Sequence, residues 1–88
     1  MRKRGDDISA DESAERVWFD ASLLHVVLRS GREISVPISY SPRLADASEG
    51  ERNDWRLIGR GQGIHWPRID EDLSVAGLVR TAQAPHPA

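Results

Sequence analysis

The stretch "RVWFDASLLHVVLRSGREISVPISY", residues 16–40, carries runs of alternating apolar residues separated by turn signals, and its parity decides the fold. Along a strand, alternate residues share a face. Leu24, Val26 and Leu28 form one apolar set, and Ile34, Val36 and Ile38 another. A two-residue turn at Ser30-Gly31 would set Val26 opposite Ser35 and Leu28 opposite Glu33, which mixes the faces. A three-residue loop, Arg29-Ser30-Gly31, sets Val26 opposite Ile34 and Leu24 opposite Val36. Such a loop is a type I turn followed by a bulge residue in the left-handed region, so it calls for glycine at its last position. Gly31 stands there, and the odd loop is the consistent choice.

Upstream, a two-residue Ala21-Ser22 turn sets Phe19 opposite Leu24 and Val17 opposite Val26. The result is an antiparallel three-stranded meander with one strongly apolar face: Val17, Phe19, Leu24, Val26, Leu28, Ile34, Val36 and Ile38. Its other face carries Trp18, His25, Val27, Glu33 and Ser35. Pro37 has no N–H to give a ladder, so the third strand is predicted at an edge or leaving the sheet.

Downstream, Ser41 followed by Pro42 reads as a helix start. Ser48 with Glu51 reads as a capping box opening a second short helix. "WRLIG" (55–59) and "GIHW" (63–66) read as short strands around a turn, and Pro67 ends the second. "DEDLSVAGLVR" (70–80) is predicted to be a last helix, capped by Asp70 or Ser74. The fold class is therefore α+β: the meander plus one or two further short strands, one face covered by two or three short helices. The single domain spans 16–80, after a flexible charged arm (1–15) and before a Pro-containing flexible tail (81–88). His86 lies in that tail and carries no reading.

Eighty-eight residues allow one domain near the low end of what a single core supports. The absence of cysteine excludes a disulfide framework, a thiolate metal site and a cysteine nucleophile. Twelve Lys and Arg against fourteen Asp and Glu give a net charge of −2. A nucleic-acid binder usually shows a basic excess, so that function is disfavoured. It would need Arg29, Arg32, Arg56, Arg60 and Arg68 on one face. The N-terminal basic cluster has no apolar run behind it, so no secretory signal is read. No run approaches the ~20 apolar residues that span a bilayer. The expectation is a cytoplasmic protein without membrane association.

Gly59, Gly61 and Gly63 have the spacing of a phosphate loop, but "IHWP" follows and opens no helix, and the chain's only lysine is Lys3. A tight turn with left-handed residues explains them. His65 with Asp70, Glu71 and Asp72 is the alternative ligand site, a general base beside carboxylates in a small ligand-binding or hydrolytic domain. His25 would be a second imidazole for a metal. Strand parity places His65 opposite to Ile64 and Trp66, at the surface, and the acidic run is equally explained by a helix start. Neither a metal nor a cofactor is assigned. No G-x-S-x-G motif occurs and no serine shows an evident base nearby, so a non-enzymatic protein is expected. Trp55 and Trp66 read as core or its rim. Trp18, on the less apolar face, is the best anchor for a partner, with His25, Arg29 and Arg32 as candidate contacts. The partner is expected to be a small protein or a second copy in a homodimer, met by strand addition or apolar docking.

The runs "VVLRSGREISVPI", "SPRLADAS", "ERNDWRLIGRGQGIHWP" and "IDEDLSVAGL" resemble the small bacterial family catalogued as Domain of Unknown Function 2442, over roughly residues 17–79. The departure is Ser30, where the family usually has Asp before its Gly-Arg pair. The resemblance implies a compact α+β domain. Some members carry a helix-turn-helix domain after this one, and none is expected here. Members are often encoded beside another small protein in the manner of toxin–antitoxin pairs, which implies an antitoxin-like regulatory role. No catalytic residues are established for the family, so none carries over.

Overall fold

The structure is a computed structural model that describes residues 12–83. The chain runs through β1 (Ala14–Phe19), β2 (Leu23–Leu28), β3 (Glu33–Pro37), a 3₁₀ turn, α1 (Pro42–Ala45) and α2 (Glu49–Asn53). It continues through β4 (Arg56–Ile58), a second 3₁₀ turn, β5 (Gly63–Trp66), β6 (Glu71–Ser74) and α3 (Val75–Gln83). Two three-stranded antiparallel sheets result, ordered β1-β2-β3 and β4-β5-β6. The α+β class and the N-terminal meander are as expected.

The register of the first sheet follows the parity argument. Val17 pairs with Val26 and Phe19 with Leu24, while Val26 pairs with Ile34 and Leu24 with Val36. In the three-residue loop Gly31 has φ +96°, its N–H bonds to the Leu28 carbonyl, and the Leu28 N–H bonds to the Arg32 carbonyl. At the tighter turn, the Asp20 carboxylate accepts from the N–H groups of Ser22 and Leu23, replacing bonds the reversal leaves unmade.

Both short helices start where their caps predict. The Ser41 hydroxyl accepts from the Leu44 N–H and donates to Glu71 Oε2 at 2.6 Å, joining α1 to β6. Ser48 and Glu51 form the reciprocal capping box. The Arg52 guanidinium donates to the carbonyls of Leu44 and Ala45, closing the far end of α1.

Three expectations need correction. Residues 71–74 form β6 rather than the first turn of a helix. Trp66 pairs with Glu71 and Ile64 with Leu73 across a four-residue reversal at 67–70, where Asp70 takes φ +55°. Of the two proposed caps, Ser74 is the real one, accepting from the Gly77 N–H. Second, β1 begins inside the segment assigned to the arm. A bulge at Glu15 lets both Ala14 and Val17 face inward, which simple alternation forbids. The remainder of the arm, residues 1–11, lies outside the described residues. Third, α3 runs past residue 80 to Gln83, and the rest of the expected tail, with His86, lies outside the described residues.

One core joins both sheets. Leu24, Val26, Leu28 and Val36 meet Ile64, Trp66, Leu44, Val75 and Leu78, all almost fully buried. Trp66 donates its indole N–H to the Arg52 carbonyl and meets the edge of Phe19, and Trp55 packs at the rim. The seam between the sheets is narrow at Gly61 (φ +86°), where a Cβ would lie 2.8 Å from the Ala14 carbonyl oxygen.

Candidate functional site

The core takes one face of the first sheet and leaves Trp18, His25, Glu33 and Ser35 on the other. Cross-strand pairing sets Trp18 opposite His25 and His25 opposite Ser35, so these three lie in one row. The Trp18 and His25 rings stack 3.8 Å apart at 10°. Trp18 Nε1 donates to Glu33 Oε2 at 2.6 Å. His25 uses both nitrogens: Nε2 meets Asp20 Oδ2 at 2.8 Å and Nδ1 meets Ser35 Oγ at 2.7 Å. Glu33 Oε2 stands 3.8 Å from Nδ1. Although it points away from the core, His25 is only 8% exposed, because Trp18 lies over it and polar partners close its rim. Trp18 keeps 39% of its surface open.

The chemistry of Asp20 orders this row. The hydrogen bond from His25 holds its carboxyl below the usual value, aided by the N–H groups of Ser22 and Leu23. An ionised carboxylate only accepts. Nε2 of a neutral His25 therefore carries the proton, and the Nδ1 lone pair accepts from the Ser35 hydroxyl.

Of the residues singled out from sequence, Trp18 and His25 come together, while Arg29 and Arg32 do not join them. Both arginines lie at the β2–β3 loop, where Arg32 pairs with Glu12 at 2.9 Å and Arg29 is exposed. His65 and Asp72 are cross-strand neighbours joined by a hydrogen bond between Nδ1 and Oδ1. Asp70 stands apart in the reversal. A shallow groove beside them is lined by Ile58, Gly63, Asp72 and Leu73, and His65 is not among its lining residues. Arg56 pairs with Asp54. Among the described residues no cluster of three or more metal-ligating side chains occurs, and no helix is long and apolar enough to cross a membrane.

Asp20 and Ser35 are the members of this polar row that motif reading missed. The signal was present for Ser35, since the odd-loop register sets it directly opposite His25. A search for a base near each serine in sequence looks past it, because the two lie ten positions apart.

No curated protein matches this chain. Among solved structures, a crystal structure of a protein of unknown function from Rhodospirillum rubrum is similar, with 27% identity and a TM-score of 0.69, covering 83% of this chain and 90% of that one. The solution NMR structure of an uncharacterized protein from Chromobacterium violaceum shares the fold at 16% identity and a TM-score of 0.68, covering 83% of this chain and 69% of that one. The family profile described as "Protein of unknown function (DUF2442)" matches residues 14–84, and the chain belongs to that family.

Proposed function

We propose that this chain is a protein-binding module of regulatory type, whose partner docks on the outer face of the first sheet with Trp18 as the anchor. The observation that carries this reading is the preorganisation of Trp18. Its ring is more than one-third exposed, yet it is stacked on His25 and tethered through Nε1 to Glu33. An aromatic side chain that is apolar, accessible and already held in one orientation loses little entropy on binding, which is the profile of a binding hot spot. The occupant is a small protein, consistent with the antitoxin-like role that the family resemblance implies, or a second copy of this chain.

Native mass spectrometry of the tagged protein, isolated gently from its own host, tests this. A stoichiometric small protein or a homodimer that is lost in Trp18→Ala, with the circular dichroism spectrum retained, supports the reading. A strictly monomeric chain, or a complex indifferent to Trp18→Ala, overturns it.

A further inference from the structure

We propose that Ser35 is an activated nucleophile that accepts an acyl group from small uncharged carboxylic esters, with His25 as its general base. The inference goes beyond the binding reading, applies to the free chain because a docked partner would cover the same face, and rests on three arrangements.

The first is the relay itself. Asp20 Oδ1 is occupied by the N–H groups of Ser22 and Leu23, which leaves Oδ2 for His25 Nε2. In the neutral imidazole the other ring nitrogen then faces Ser35 Oγ, 2.7 Å away, with its lone pair. This is the nucleophile, base and orienting carboxylate of a serine hydrolase, with the two ring nitrogens exchanged. His25 is clamped between the sheet and the Trp18 ring, while Ser35 is exposed to an incoming substrate.

The second is the sheet edge. The bonds from the Leu28 N–H to the Arg32 carbonyl and from the Ile38 N–H to the Ser22 carbonyl set the alternation of the β2–β3 ladder. His25 and Ser35 fall on a non-hydrogen-bonded pair, where side chains approach most closely. The Ser35 N–H consequently points off the outer edge of β3, and it has no partner among the described residues. It is available to a developing oxyanion on the same residue's acyl group.

The third is the charge around the site. Asp20 and Glu33 flank the imidazole, and both stabilise the imidazolium that forms when it takes the Ser35 proton. They also repel anionic substrates. The neighbouring surface is the Trp18 ring and half-buried Val27, a ledge for a short apolar acyl group.

In the step itself, Ser35 Oγ bonds to the ester carbonyl carbon as its proton passes to His25 Nδ1. The tetrahedral species then expels the alcohol, which takes that proton back from Nδ1, leaving an acyl-Ser35. Water activated by the same nitrogen hydrolyses it.

The test is covalent labelling of the free full-length chain with a small uncharged fluorophosphonate. Ser35 Oγ displaces fluoride from phosphorus, and peptide mass spectrometry locates the adduct. The expected result is one dominant adduct, on Ser35, that is absent in Ser35→Ala. General-base assistance is worth about 10²–10⁴-fold, so His25→Gln should slow labelling about 100-fold or more with the fold intact by circular dichroism. Labelling of Ser35 no faster than that of other exposed serines such as Ser30, or a rate unchanged in His25→Gln, would overturn the proposal. Either failure leaves the mass-spectrometric test of partner binding untouched.

Discussion

Two glycine-to-alanine substitutions separate backbone strain from close packing. Gly31 and Gly61 share a left-handed backbone, at φ +96° and +86°. They differ in what a Cβ would meet. At Gly31 nothing lies within 4 Å, whereas at Gly61 the Cβ would stand 2.8 Å from the Ala14 carbonyl oxygen and 3.0 Å from Ser13 Cβ. Gly31→Ala should therefore cost only the conformational term, about 1–2 kcal/mol. Gly61→Ala adds the expense of forcing β1 away from the second sheet, about 1–3 kcal/mol more. For a small domain whose total stability is about 5 kcal/mol, the second substitution removes much of the margin. Urea denaturation followed by tryptophan fluorescence reads both. With a slope of about 1 kcal/mol per M, the Gly61→Ala midpoint should fall about 1–3 M below that of Gly31→Ala. Equal midpoints would refute the claim that the seam between the sheets closes on the missing side chain of Gly61.

Loss of the capping box in Ser48→Ala should cost about 1 kcal/mol, which lowers the thermal midpoint by about 4–8 °C for a domain of this size; an unchanged midpoint would place α2 outside the cooperative unit. Asp20 supplies a pH dependence. Its carboxyl is held below its unfolded value near 3.8, so its stabilisation is full above that value and is lost as pH falls through the folded one. Asp20→Asn should flatten the fall in stability below about pH 4 in urea titrations, and an unaltered acid limb would contradict the assigned hydrogen bonds.

The first sheet was legible because two local constraints agreed: the parity of Leu24, Val26 and Leu28 against Ile34, Val36 and Ile38, and a glycine where an odd loop needs one. The caps at Ser41 and Ser48 were legible for a similar reason, since each acts within one helical turn. β6 was not. "DEDLS" has the acidic start of a helix, and its strand character comes from Ile64 and Trp66, which pair with Leu73 and Glu71 across a reversal marked by no glycine. Alternation also foresaw that His25 would point away from the core, but not that it would be buried. That burial depends on the Trp18 stack and on an aspartate contributed by the turn. Such polar rows form only after the register is set, and a scan for motifs in sequence has no handle on them.

Ser41 is 1% exposed, and its hydroxyl makes two bonds, accepting from Leu44 in α1 and donating to Glu71 in β6. A four-residue helix has no stability of its own in water. Here its first turn can open only if a buried hydroxyl leaves a carboxylate thirty residues away without its donor. The helix and the distant strand are thus joined as a single opening unit. In native-state hydrogen exchange, the Leu44 amide should exchange at a rate set by the opening of β6, and Glu71→Gln should speed both together.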